Sequence, residues 1–457
     1  MSLTRSKIHV TKRSQQSIFI SGALARKLNL KGKKNLKLQL GPNSIYTSLK
    51  TIKRKGNHLY IPLALQNAMR VPRFTQVYVR SDSSGNVKIG PLVGIITSAT
   101  GNMSRPFGSR TALIRQYLSV GNGKAFYFAF TPSGINWQNE TVVAYFPNSE
   151  GGWSRKIVPL PDVVYNRLPS RKADASASME SLKQNFVRRN IPFFNWSFFN
   201  KSDVYRLLED EPEFYKHVPE SVTNPSPEKI KELLEKHRFL YLKPTGGSLG
   251  QGIYRLTYHP QRGYYLRFRR GGQNVLLRYR KFSSLVAALK IKRGKLRSYI
   301  AQQGIRLIEI DGCPIDFRFH INKNKENQWV VTAVGAKKAG KGSVTTHLRN
   351  GGQLLTPEQA LGQVFGSRSG EVLSKSKAVA IRLAEAIEKN YKHHIGELGF
   401  DFGIDKNENI WMFEANSKPG RSIFKHPGLK EAGRQALVHV FEHCLYLAGF
   451  RNRGNGS

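Results

Sequence analysis

Residues 17–20, 36–40, 45–49, 59–61, 76–79 and 87–89 are short apolar runs interrupted by polar positions, with turn formers such as Gly41-Pro42-Asn43 and Ser83-Ser84-Gly85-Asn86 between them. Alternation with a period of two suits strands that bury one face, so residues 1–90 are predicted to form a small β-rich domain, with a barrel as one way to close it. The apolar run at 92–97 opens a second segment, expected to be α/β and to reach residue 225. Helical periodicity marks 202–209, 227–237, 371–391 and 429–447. Asn224-Pro225-Ser226-Pro227 punctuates the boundary to a third domain over 226–450, with proline near the first helical turn. The tail 451–457 is mostly Gly, Asn and Arg and is expected to be disordered.

Two stretches of the third domain carry chemistry. Residues 400–404 and 410–413 read as apolar strands joined by the turn Asp405-Lys406-Asn407-Glu408-Asn409. Such a hairpin sets Asp401 on one strand opposite Glu414 and Asn416 at the end of the other, and residues two apart on a strand share a face. Three oxygen donors then converge, a set that suits magnesium, which keeps room for water and phosphate oxygens. The alternative is a polar hairpin end with solvated acids. Upstream, an apolar strand at 239–243 ends in Lys243, and Pro244-Thr245-Gly246-Gly247-Ser248-Leu249-Gly250-Gln251-Gly252 leads to another strand at 253–258. Glycines let a loop fold over an anion with its N–H groups presented to phosphate oxygens. A Gly-Lys-Ser/Thr ending and a following helix are both missing, so this is no P-loop, and a plain hairpin turn is the alternative.

Together these features resemble the ATP-grasp superfamily, the fold of D-alanine–D-alanine ligase and glutathione synthetase. The resemblance is closer to one branch, the YheC/YheD family of endospore coat-associated ATP-grasp proteins. It rests on Gly90-Pro91-Leu92-Val93-Gly94-Ile95, on Val163-Val164-Tyr165-Asn166-Arg167-Leu168-Pro169-Ser170-Arg171 and on Leu242-Lys243-Pro244-Thr245-Gly246-Gly247-Ser248-Leu249-Gly250, and spans about residues 90–450. It implies an α+β protein: an ATP-grasp fold with a preceding α/β (pre-ATP-grasp) domain and the small N-terminal β-rich domain. It also implies that Lys243 reaches the ATP phosphates and that the loop with Gly247, Ser248, Gly250 and Gly252 covers the triphosphate. Adenine would be recognised by the backbone around Gln302, Gln303 and Ile305. Asp316 would lie towards the ribose and Arg318 towards phosphate or substrate. Lys337 or Lys338 would be a second basic contact to phosphate, with Arg318 and Lys338 as the catalytic candidates. Asp401, Glu414 and Asn416 would hold Mg²⁺, or Mn²⁺ in its place. One position departs from many relatives: His347 stands where an asparagine near the γ-phosphate is usual.

Composition adds one unusual fact. The formal net charge is +43, and residues 1–80 contain 17 Lys plus Arg and no Asp or Glu, the first acid being Asp82. A segment of one sign argues for an anionic polymer or surface as partner, although a general basic bias would produce the same count. The chain has no recognisable RNA- or DNA-reading motif. If the first 85 residues only dock such a partner, they should be separable from the nucleotide motifs, which all lie after residue 240. Cys313 and Cys444 are too few for a disulfide scaffold and are expected in the core. No signal peptide and no transmembrane run is visible. His439-Val440-Phe441-Glu442-His443 spells an inverted zinc-protease pattern, but its neighbours read as packing residues of a closing helix.

The implied function is Mg-ATP-dependent ligation: a carboxylate activated as an acylphosphate and passed to an amine, or a thiol. The carboxylate and the amine are not identified by the sequence. The alternative is a non-catalytic polyanion-binding or spore-structural protein that keeps a nucleotide site. The resemblance implies a location in the mother-cell cytoplasm, with association to the spore coat.

Overall fold

The computed structural model describes residues 2–12, 16–72, 76–245, 252–289, 298–343 and 351–451. Strands Ser2–Thr11, Ser17–Ser21, Asn35–Leu40, Asn43–Ile52, His58–Pro62, Gln76–Ser81 and Val87–Gly90 form a closed barrel. Closure comes from the first strand, which pairs parallel with His58–Pro62 and antiparallel with Gln76–Ser81. That strand is the one the apolar pattern does not announce. Only Ser6 on it is buried, so its place is set by backbone pairing on both sides and not by an apolar face.

The second domain is a seven-stranded sheet. Leu92–Ile96, Phe126–Phe130, Val163–Asn166 and Phe193–Phe194 run parallel, and Ile135–Asn136, Thr141–Pro147 and Trp153–Pro159 add an antiparallel edge. Leu92–Ile96 and Phe126–Phe130 are buried at every position, as parallel strands covered on both faces should be. The C-terminal helix Lys430–Leu447 belongs to this core: its Val440, Phe441 and Cys444 pack with Ile114, Tyr117 and Tyr127.

Two antiparallel sheets follow. In the first, Ser221–Thr223, Tyr299–Gln303, Phe239–Pro244, Tyr254–His259, Gly263–Arg270 and Gln273–Tyr279 pair in that order. Helices Pro227–His237 and Phe282–Ala288 cover one face through Leu233, Leu234 and Leu285 against Leu240, Leu242 and Leu256. The second sheet runs Gln353–Leu355, Trp329–Lys338, Cys313–Lys323, Glu397–Ile404, Ile410–Asn416. Helix Ser369–Asn390 packs Leu383 and Ile387 onto Phe317, Phe319, Phe400 and Phe402. Because side chains alternate across a strand, burying these phenylalanines sends Asp316, Arg318 and Asp401 to the opposite face.

The barrel is not a detached module. Its apolar residues and those of the seven-stranded sheet, including Leu92, Phe126 and Phe128, form one hydrophobic cluster. Gly41 marks the closest approach: its φ is +55°, and a Cβ there would lie 2.7 Å from the Leu160 carbonyl oxygen and 2.9 Å from Leu92. Lys88 pairs with Asp162, and Arg80 donates 3.0 Å to the Gly449 carbonyl. The separability expected of residues 1–85 therefore gives way to a shared core. Deleting residues 1–85 is expected to leave an aggregating remainder, seen by size-exclusion chromatography. Gly41→Ala should lower the urea midpoint by a loss on the order of 2 kcal/mol, from strain at positive φ plus the clash.

Candidate functional site

The outward face of the second sheet collects the polar residues. Asp316 and Arg318 are two apart on their strand, Lys337 is the register partner of Asp316, and Asp401 is the partner of Arg318. Glu414 is the partner of Asp401, and Asn416, two further on, is the partner of Gly399. Arg318 grips Asp401 bidentately, Nε to Oδ1 at 2.8 Å and Nη2 to Oδ2 at 2.7 Å. Lys337 Nζ bridges Asp401 Oδ1 at 3.0 Å and Asp316 Oδ1 at 2.9 Å. Burial alone would raise the Asp401 carboxyl, but Arg318 and Lys337 outweigh it and hold it well below the usual carboxylate range. Burial works against the charge of Arg318 and of Lys337 too, and their carboxylate partners raise both above their ordinary values.

Lys338, next to Lys337, emerges on the other side of the strand and pairs with Asp311. The structure thus brings together Lys337, Arg318, Asp316, Asp401, Glu414 and Asn416, and leaves Lys338 apart from them. Among the described residues, no group of three His, Cys, Asp or Glu side chains is close enough to hold a metal. Two carboxylates and an amide on neighbouring strand positions nonetheless fit magnesium, which takes one or two protein carboxylates and completes its shell with phosphate oxygens and water.

The first sheet turns its uncovered face towards this one. Leu240 and Leu242 enter the core, so Tyr241 and Lys243 point the other way. Lys243 Nζ contacts Gln302 Oε1 and lies 5.4 Å from the Phe413 ring centroid, across the gap between the sheets. Gln302, 1% exposed, donates to the Tyr205 hydroxyl at 2.5 Å and to Ser221 Oγ at 3.1 Å. At the end of that strand the Gln303 and Gly304 N–H groups donate to the carbonyls of Glu220 and Phe239, at 2.8 and 2.9 Å. Ile305 follows, partly buried. A side chain on Gly304 would overlap the Phe239 ring, so glycine keeps the two strands close where the chain leaves the sheet. Gly252 has a φ of +70°. Gly247, Ser248, Gly250 and His347 lie outside the described residues.

Sequence reasoning did not find the polar network beside this face. Glu397, fully buried, accepts from His320 Nε2 at 2.9 Å, from the Tyr165 hydroxyl and from Arg167 Nη1 at 3.4 Å. Asn195 Nδ2 donates 2.8 Å to the Glu397 carbonyl, and Lys418 Nζ pairs with Asp174 at 2.7 Å. These contacts join the Tyr165-Asn166-Arg167 segment of the second domain to the sheet that carries Arg318 and Asp401. Three polar residues capping the apolar pair Val163-Val164 were the available signal. The inverted zinc-protease pattern resolves as packing: His443 is buried against Phe194, and burial pushes its imidazole down to about 3.

Two sheets facing each other across a gap lined by Lys243, Lys337, Arg318 and the Asp401 hairpin define an ATP-grasp protein. Residues 190–447 match the model of the YheC/D-like ATP-grasp family, and the chain belongs to that family. It is 40% identical over 368 residues to the endospore coat-associated protein YheD of Bacillus subtilis (strain 168), covering 79% of this chain and 80% of that one. To YheC of the same organism it is 24% identical, over 70% of this chain and 88% of that one. Among solved structures it is similar to the D-alanine-D-alanine ligase of Coxiella burnetii, with a TM-score of 0.44 and 13% identity over 79% of this chain and 94% of that one. At that score the likeness adds nothing to the family assignment.

Burial raises the Glu397 carboxyl, but the His320 hydrogen bond and the Arg167 charge outweigh it and bring it to about 2, against an ordinary 4.5. A carboxyl lowered on folding stabilises the protein above its unfolded value and loses that contribution as pH falls through the folded one. The stability gap between wild type and Glu397→Gln should therefore narrow between pH 5 and pH 2 by on the order of 3 kcal/mol, measured by urea denaturation.

Proposed function

We propose that this protein is an ATP-dependent carboxylate–amine (or carboxylate–thiol) ligase. The observation that carries the reading is the facing pair of sheets, with Lys243 and Gln302 on one and Lys337, Arg318, Asp401, Glu414 and Asn416 on the other, in a chain of the ATP-grasp family. In this reading a substrate carboxylate oxygen attacks the γ-phosphorus of ATP, and the bond to the β-phosphate oxygen breaks to release ADP. The resulting acylphosphate is attacked at its carbonyl carbon by a neutral amine, which loses a proton as inorganic phosphate departs. Magnesium, held by Asp401, Glu414 and Asn416, would neutralise charge on the phosphates. Lys243 and Lys337 approach the phosphates from opposite sheets. Arg318 stays protonated through Asp401 and is positioned for the transferring group. Lys337 takes the second phosphate contact in preference to Lys338, which faces Asp311. The loop with Gly247, Ser248 and Gly250 is assigned to the triphosphate, and the backbone around Gln303 and Ile305 to adenine, on family resemblance. Manganese could replace magnesium.

A second reading, a non-catalytic polyanion-binding or spore-structural protein, is favoured by the distribution of charge. Residues 1–90 hold 18 Lys plus Arg against the single acid Asp82. Residues 236–308 hold 17 Lys plus Arg and no acid. The relative YheD is named endospore coat-associated, and we place this protein with it, made in the mother-cell cytoplasm and carried to the coat. The two readings are compatible if the basic surface docks the enzyme on an anionic layer. Among the described residues, no helix is long and apolar enough to cross a membrane.

Three measurements test this. Mg-ATP at millimolar concentration should raise the melting temperature, because a ligand bound only to the folded state stabilises it, and Glu414→Ala should remove most of the magnesium-dependent part. No shift in the wild type would sink the ligase reading. A screen for ADP release against carboxylates with pooled amino acids should find a substrate pair for an active enzyme. Heparin affinity should fall steeply from low to physiological salt, and replacing the exposed Lys50, Lys53, Arg54 and Lys55 together by Gln should weaken both the affinity and its salt dependence. An unchanged salt profile in that variant would leave this face of the barrel without a docking role.

A further inference from the structure

Beyond Asn416 the second domain closes on the catalytic sheet, and three guanidinium groups gather there around Tyr117. Arg167, 4% exposed, and Arg421 lie 6.0 and 5.9 Å from the Tyr117 ring centroid. Arg110 reaches in from the start of helix Thr111–Val120 and donates through Nη1 to the Arg167 carbonyl at 2.8 Å. Glu397 is the one carboxylate that pairs with this group among the described residues, 3.4 Å from Arg167 Nη1. Burial overrides Glu397 at His320 and lowers its imidazole, so His320 adds no positive charge near neutral pH. Three cations, Arg167 buried and Arg110 and Arg421 partly so, thus share one anion.

Excess buried charge is costly unless an opposite charge completes it. Two buried donors of this cluster, Arg167 Nε and Arg421 Nη1, have no hydrogen-bond partner among the described residues. The cluster also adjoins the phosphoryl-transfer site. Arg167 Nη2 donates to the Pro419 carbonyl at 3.4 Å, and a Cβ on Gly399 would lie 2.6 Å from Pro419 and 3.3 Å from Arg318 Nη1. Burial, and then the Arg167 charge, lower the Arg110 guanidinium to about 10, which reflects the same crowding.

We propose that Arg110, Arg167 and Arg421 form an anion subsite that holds a second negatively charged group of the substrate, a carboxylate or a phosphate distinct from the carboxylate that is activated. The substrate class is then one bearing at least two anionic groups a few bonds apart. The assignment rests on the ligase reading only for what happens to the other group.

The full-length protein is titrated calorimetrically, at fixed ionic strength, with glutarate, inorganic phosphate and acetate, and separately with Mg-ADP. Glutarate or phosphate should bind more tightly than acetate. Arg110→Gln and Arg421→Gln should each weaken that binding about tenfold, the loss of one charge-assisted hydrogen bond, and Arg110→Lys by less. Binding of glutarate alone would point to a dicarboxylate, and of phosphate alone to a phosphorylated substrate. Arg110→Gln should also leave the melting temperature of the free protein unchanged or raised, since it removes a repelled charge, whereas a purely structural arginine would lower it. The proposal is overturned if neither anion exceeds acetate, if both glutamine variants bind like wild type, or if Arg110→Gln melts lower. Mg-ADP binding should be the same in all variants. Its absence from the wild type would refute the ligase reading, while arginine-dependent anion binding would still support the subsite.

Discussion

Everything functional in this molecule depends on the alternation of strands Cys313–Lys323 and Glu397–Ile404. Phe317, Phe319, Phe400 and Phe402 anchor one face under helix Ser369–Asn390. Their burial obliges Asp316, Arg318, Asp401 and Glu397 to share the other face, at cross-strand distances. Charges gathered there in a poorly solvated gap must neutralise one another, and they do so in a bidentate Arg318–Asp401 pair bridged by Lys337. A slip of one residue in register would bury every one of these charges and expose the phenylalanines. The geometry of the polar site and the packing of the core are thus the same constraint seen from two sides.

The same face explains how the domains are held. At one end it confronts Lys243 and the first sheet; at the other, Glu397 draws in Tyr165 and Arg167 from the second domain. A buried carboxylate with several donors is costly to disrupt, because breaking it strands an uncompensated charge. The second domain is therefore fixed against this sheet by electrostatics as much as by apolar contact. The barrel joins through apolar packing around Leu92 and Phe126 and through the Gly41 approach.

Charge beyond the site follows a different logic. Surface lysines and arginines over the barrel contribute little to stability, since exposed charges are screened and solvated. A net charge of +43 raises the local concentration of anionic partners and governs association, not the fold. Nucleotide, polyanion and any anionic substrate would all be drawn to the same molecule by it, while only the placed groups between the sheets could tell them apart.

Local pattern was enough for the strands with one apolar face, the long helices and the Asp401 hairpin, because periodicity and turn chemistry act within a few residues. Lys243, Arg318, Asp401, Glu414 and Asn416 could be singled out from strand ends and spacing together with family resemblance. The chain alone determined which residues share a strand face, as with Glu414 and Asn416. Which faces meet was decided by the tertiary structure. Lys337 and Lys338 are equivalent neighbours in the sequence; only the pairing of Trp329–Lys338 with Cys313–Lys323 puts one against Asp316 and turns the other to Asp311. The strand Ser2–Thr11 is recognisable only by the two strands it joins. Glu397, Arg167 and Arg421 stand up to 254 residues apart in the chain, and no local signal links them. Their meeting is a consequence of long-range packing, where free energy depends on burial and on which charges share it.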